Sequence, residues 1–225
     1  MTTVTPESSS EHAAAEPAAR SALMTDPTPV AFALFAFALA VYFIRYQDVN
    51  ASTLAAGPIT EGLNYAVLVA GLAEVLAGIL GIIRGIGYPA YVTTTFGIWL
   101  LGFYLLITSG AASKEFTPDA IAWYSLVLIV PVAILAVPAF VHRNIPFIIA
   151  FVALLVLLLF LGLGYHSLED QLNAAAAAKS APDLGTAVDQ LKVSAWAGLV
   201  AAVAIWVVFA QAVFQATGVL KRPSE

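Results

Sequence analysis

The sequence predicts an all-α, polytopic membrane protein: one bundle of six transmembrane helices. Three observations predict it. Hydrophobic residues make up 61% of the 225 and charged residues only 10%, against about 25% charged in a soluble domain. Mean hydropathy is +0.91. Six apolar runs of about twenty residues recur along the chain, each long enough to cross a hydrocarbon core of about 30 Å.

The runs fall at 29–46, 63–83, 89–109, 121–141, 145–165 and 193–219, inside a membrane domain over 28–220. Ahead of it, 1–27 is rich in Ala, Ser, Thr and Glu, with Arg20 its sole basic residue. Without a basic start and a short apolar core it does not read as a signal peptide, and its composition predicts a disordered polar tail. A short tail, 221–225, closes the chain.

The first run opens at Asp26-Pro27-Thr28-Pro29. Thr28 suits the N-cap and Pro29 the first helical position, where its missing N–H costs nothing. Tyr42, Arg45 and Tyr46 at the far end read as interfacial anchors. A polar loop with a Gly57-Pro58 turn leads to the second run, which ends at Arg84-Gly85. The fourth run carries Pro131 and Pro138, which kink a membrane helix and free carbonyls. The fifth is Leu, Val, Phe and Ile almost without interruption, so it is expected to face lipid on most sides and to be the span least suited to line a pathway. The segment 167–192, broken at Asp183-Leu184-Gly185, predicts two short surface helices over one face of the bundle.

Orientation follows from Lys and Arg near the span ends. Arg84, Arg143, Lys221 and Arg222 share the side of both termini, where the short turns carry no acids. Arg45, Lys114, Lys179 and Lys192 lie opposite, among many acids. Both termini are therefore expected inside.

Several function classes fall away. A net charge of −5 with no basic cluster argues against nucleic acid and against an anionic-lipid site. No cysteine is present, so disulfides and thiolate chemistry are excluded. No span holds a lysine for a Schiff base. His12, His142 and His166 lie outside the spans and offer no helix-borne metal pair. There is neither a nucleotide-binding glycine pattern nor a magnesium-type carboxylate cluster. An enzyme needs polar groups converging on one place; no catalytic residue, metal or cofactor is assigned.

Glu74 is the one charged residue deep in a span. A carboxylate at bilayer depth costs roughly 2.5–3.5 kcal/mol on insertion scales, so it is expected to face the bundle interior. Around it run small residues, Ala70, Gly71, Ala77, Gly78, Gly81 and Gly85, of the kind that let a second backbone approach closely. The third run adds Tyr91, Thr93, Thr94, Thr95, Phe96, Trp99 and Tyr104. A Pro-flanked helix start, with its free N–H groups, can attract an anion. Each feature also has a plain reading: Glu74 as an interhelical hydrogen-bonding group, the threonines bonded to carbonyls one turn back, Phe96 and Trp99 as packing.

The block Ala70-Gly71-Leu72-Ala73-Glu74-Val75-Leu76-Ala77-Gly78-Ile79 resembles the GGLAQ-x-x-AGM signature of the acetate uptake transporter family, also called acetate/succinate permeases. Arg84-Gly85, Tyr88, Ala90, Thr94-Thr95, Phe96-Gly97 and Trp99 continue that likeness, and Asp26-Pro27-Thr28-Pro29-Val30-Ala31-Phe32 is similar to its NPAPLGL motif. The chain departs at Asp26 for Asn, at Glu74 for Gln, at Leu80-Gly81 for Trp-Glu, and at Val69 for an aromatic. The resemblance implies a plasma-membrane channel or proton-coupled permease for acetate, related small monocarboxylates and succinate, assembled as a homo-oligomer (a hexamer), with a narrow apolar constriction in each protomer. On that footing Asp26, Pro27 and Pro29 shape the cytoplasmic mouth. Phe96, Trp99 and Val69 lie near the narrow part, and Phe32 and Thr94 belong to the same substrate pathway. Glu74 exchanges protons or filters for the neutral acid. The competing expectation is a non-transporting accessory protein joined through its Gly/Ala interface; a polar path shared by Glu74, the threonines and the mouth would decide for transport.

Overall fold

The structure, a computed structural model, describes residues 26–55, 61–110, 117–217 and 219. The predicted tail over 1–25, the Gly57-Pro58 turn and the end at 221–225 lie outside the described residues.

Six helices are long and apolar enough to cross a membrane, and the described residues contain no strand. They are α1 (Thr28–Gln47), α2 (Glu61–Ile83), α3 (Tyr88–Leu105), α4 (Pro118–Val141), α5 (Ile145–Ala178) and α6 (Gly185–Ala216). The protein is a multi-pass membrane bundle. A single helical turn, Ala51–Ala55, follows α1, and a π-helical turn, Leu106–Gly110, extends α3.

In space the helices succeed one another as α3, α2, α1, α6, α5, α4, each packed on the next. The α3–α4 seam is thinner and is closed by aromatic side chains. Trp99 Nε1 donates to the Tyr124 carbonyl at 3.3 Å, and Tyr124 Oη donates back to the Trp99 carbonyl at 3.0 Å. Tyr88 Oη donates to the Leu135 carbonyl.

Small residues decide the α2–α3 contact. A Cβ on Gly78 would lie 2.7 Å from the Thr94 nitrogen, and one on Gly97 2.5 Å from the Val75 nitrogen. Gly71 faces Leu100 and Leu101, and Gly81 faces Ala90. Only hydrogen side chains allow two backbones this close. Ala70 and Ala77 are buried on the same side of α2. Gly85 does not belong to this ladder: it is exposed, with nothing near its missing Cβ. It ends α2 instead. At φ 71° its N–H donates to Ile82 and the Ile86 N–H to Gly81, the paired bonds of a Schellman stop, which favours glycine.

Four further expectations are corrected. Helix α1 begins at Thr28 rather than Pro29; Pro27, not Thr28, holds the N-cap position, and Asp26 one residue earlier accepts on Oδ1 from the Thr28 N–H at 2.9 Å and the Thr28 hydroxyl at 2.5 Å. Tyr42 and Tyr46 are not interfacial; they are buried, Tyr46 at 1% exposure. The segment 167–192 is not two separate surface helices. Helix α5 runs unbroken through 34 residues to Ala178, about 50 Å at 1.5 Å per residue, so its last turns pass beyond a hydrocarbon core. The Ala-rich stretch is strongly helix-forming, and the chain turns only at 179–184 before α6 rises beside it. His166 accordingly sits on α5, where its Nδ1 meets Asp119 Oδ1 at 2.6 Å. Finally, α5 does not face lipid on most sides: half of its most apolar stretch is buried, the largest share of any span. A helix apolar all round suits lipid or a packed interface equally, and here Leu154, Leu157, Leu158 and Leu161 are buried while Ile149, Val152 and Leu159 stay exposed.

Candidate functional site

Between α1, α2, α3 and α5 lies a cavity of about 40 Å³ lined by Phe35, Ala38, Leu39, Tyr42, Tyr46, Leu63, Val67, Phe96, Trp99, Leu100, Phe103, Leu154, Leu157, Leu158 and Leu161. A second, of about 20 Å³, lies among Phe32, Phe35, Val92, Phe96, Phe147, Ala150, Phe151, Leu154 and Ile205. One water needs roughly 10–15 Å³ on this measure, so the first holds about three waters or one solute of that size. Phe35, Phe96 and Leu154 line both. The Phe35 and Phe96 ring centroids are 5.1 Å apart. The two cavities thus meet at a three-residue apolar pinch.

The elements explain why these residues converge. Phe32, Phe35, Leu39, Tyr42 and Tyr46 recur at spacings of three and four on α1, one stripe of a 3.6-residue helix. Leu63 and Val67 do the same on α2, as do Leu154, Leu157, Leu158 and Leu161 on α5. Phe32 meets Phe147 edge-on, centroids 5.6 Å apart. Phe96 follows from the α2–α3 contact: Gly97, its neighbour, lies against the Glu74–Val75 backbone and sets Phe96 at that depth.

No charged residue lines either cavity among the described residues. Moving an ion out of water costs several kcal/mol even after the protein relaxes. Two buried hydrogen-bonded groups adjoin the larger cavity. Tyr42 Oη meets Ser194 Oγ at 2.8 Å, and Ser194 donates to the Leu157 carbonyl at 3.0 Å. Tyr46 and Tyr165 share a bond of 2.7 Å. The Arg45 guanidinium lies 5.6 Å from the Tyr46 ring centroid.

The residues singled out in the sequence divide. Phe96 lines both cavities, Trp99 the larger and Phe32 the smaller. Asp26, Pro27 and Pro29 stand at the α1 start that precedes Phe32. Val69 does not contribute: it is 47% exposed on the outer face of α2, two positions from Val67, which faces in. Thr94 is spent locally, donating to the Ala90 carbonyl at 2.7 Å and backing Gly78. Thr93 likewise donates to Pro89 and Ala90. Glu74 is fully buried, with neither carboxyl oxygen hydrogen-bonded, and is not among the lining residues. Glu74, Thr93 and Thr94 line neither cavity; both cavities are apolar and lie beside them.

Sequence reasoning missed Phe35, Leu154 and the Tyr42–Ser194 pair. The α1 stripe of Phe32, Phe35, Leu39 and Tyr42 was a usable signal; nothing in the uniform α5 run marks Leu154.

A family model described as the GPR1/FUN34/yaaH family matches residues 10–219. Among solved structures, the bacterial acetate channel SatP aligns over 90% of this chain and 99% of its own, with a TM-score of 0.66 at 15% identity. At that identity the likeness speaks for the fold. No curated protein matches the chain.

Proposed function

Because the chain belongs to the GPR1/FUN34/yaaH family, we propose that it is a membrane channel or proton-coupled permease for small monocarboxylates, with acetate the first candidate. The observation that carries this reading is the pair of cavities meeting at Phe35, Phe96 and Leu154. Their size suits a solute of four heavy atoms better than succinate, which has twice as many. The bacterial acetate channel that shares the fold supports the same solute class.

In this reading Asp26, Pro27 and Pro29 shape the mouth, Phe32 leads inward, and Phe96 with Trp99 borders the narrow part. Glu74 stands beside the cavities as a buried group and lines neither. The protein sits in the plasma membrane with both termini cytoplasmic, its outer apolar faces on lipid and on further copies in a homo-oligomer. The accessory reading would gain from Glu74 bonded directly across a closed interface, and Glu74 has no such bond.

The test is uptake of labelled acetate into liposomes holding the purified protein, with bare liposomes as control because acetic acid itself crosses lipid. Protein-dependent uptake supports the proposal. Uptake equal to the control, with folded protein, sinks it.

A further inference from the structure

We infer that His166, Asp119 and Asp170 form a proton-dependent clasp between α4 and α5, which grips the start of α4 while His166 is protonated and slackens when that proton leaves. The clasp needs no assumption about a solute and stands apart from the monocarboxylate reading.

Helix α4 is the element that needs such a hold. It packs closely on α5, whereas its seam with α3 is thin. Its N-cap residue, Thr117, makes no side-chain capping bond, so the first N–H groups of α4 go without that support. One level deeper, Gly162 of α5 lets α4 come near. A Cβ there would meet the Leu126 side chain and lie 3.2 Å from the Ala122 carbonyl oxygen. His166 stands one helical turn beyond Gly162, past the apolar run 145–165, and meets Asp119 in the first turn of α4.

The geometry suits an imidazolium. Nδ1 of His166 lies 2.6 Å from Asp119 Oδ1, and Nε2 lies 3.9 Å from Asp170 Oδ2. The Trp123 indole N–H donates to the other Asp119 oxygen at 3.1 Å and so holds the carboxylate with Oδ1 toward the ring. A protonated ring has an N–H for each carboxylate; a neutral ring has one N–H and turns a lone pair toward the second. Loss of the proton therefore removes the charge that both carboxylates attract and one of the two donors.

The surrounding charges agree. On α5, Glu169 is turned to Asn173. On α6, Gln190 accepts from Ser167, and neither Asp189 nor Lys192 forms an ion pair with His166. Lys114 and Glu115 lie outside the described residues. The Asp119 hydrogen bond outweighs desolvation and raises the His166 pKa above the ordinary 6.5, and the charges of Asp119 and Asp170 add to the rise. With the sign worked out, the grip is full below 6.5 and is lost as pH climbs through the raised value.

The experiment uses the full chain in detergent micelles, from pH 5.5 to pH 8.5, where imidazole and not carboxylate titrates. The His166 ring signal, identified by its absence from His166→Gln, should titrate above 6.5 in wild type and lower in Asp119→Asn. Hydrogen exchange, corrected for the intrinsic effect of pH, should show protection of residues 120–124 falling about two- to fivefold between pH 5.5 and pH 8.5, the range for a half-exposed ion pair. In His166→Gln that protection should stay at the wild-type high-pH level throughout. A His166 midpoint at or below 6.5, a midpoint unmoved by Asp119→Asn, or the same loss of protection in wild type and His166→Gln overturns the inference.

Discussion

Phe35 of α1 and Phe96 of α3 meet with ring centroids 5.1 Å apart, inclined at 35°, and each ring forms part of the wall of two cavities. Two aromatic rings from helices that both pack on α2 thus stand between the two cavities. Four predictions follow from that arrangement and from the contacts that hold it.

Filling the larger cavity should block the passage without harming the fold. Ala38 is 3% exposed and lines it. Ala38→Leu adds three carbon atoms to a space of about 40 Å³. Acetate flux is expected to fall at least tenfold, while stability in detergent falls by no more than about 3 kcal/mol, the upper end for added core methylenes. Undiminished flux would place the solute path elsewhere.

The α2–α3 contact depends on Gly78. Gly78→Ala drives a methyl against the Thr94 backbone, and overpacking of this kind costs about 1–3 kcal/mol. Gly62→Ala, near the start of α2 with nothing within 4 Å, should be neutral or stabilising by up to about 1 kcal/mol, the usual helical advantage of alanine. Equal melting points for the two variants would show that the close approach does not hold these helices.

For the Tyr42–Ser194 pair the order of damage is set by who is left alone. Ser194→Ala strands the buried Tyr42 hydroxyl, a loss of about 1–3 kcal/mol. Tyr42→Phe leaves Ser194 still bonded to the Leu157 carbonyl and should cost less. Unfolding measurements that reverse the order would contradict the assigned hydrogen direction.

Glu74→Gln separates a proton relay from a buried neutral group. The account expects acetate flux within about twofold of wild type and an unchanged pH profile, since Glu74 lines neither cavity. A lost pH dependence would instead make Glu74 the proton carrier.

Much of the fold could be read from the residues. Apolar run lengths gave six helices, and Gly71, Gly78 and Gly81 gave the face on which α2 meets its neighbour. The failures have physical causes. Periodicity is blind in α5, where every face is apolar, so its inward face and Leu154 were hidden. Tyr42 and Tyr46 carry the chemistry of an interfacial anchor and of a buried hydrogen-bonded pair alike; only their partners Ser194 and Tyr165, 152 and 119 residues away, decide. Gly85 resembled its helical neighbours by spacing, although its role is to end the helix. Glu74 drew attention because charge is conspicuous in a membrane span, whereas the passage itself is built from carbon and carries no such mark.

The most direct test of the pinch is a size series of linear acids, from acetate to butyrate, against wild type and Phe96→Ala in liposomes, with folding checked by an unchanged elution profile. Removing the Phe96 ring joins the two cavities. The account predicts faster acetate flux and new passage of butyrate, which wild type rejects. The same size cut-off in both proteins would contradict it, because the solute would then not be passing between Phe35, Phe96 and Leu154.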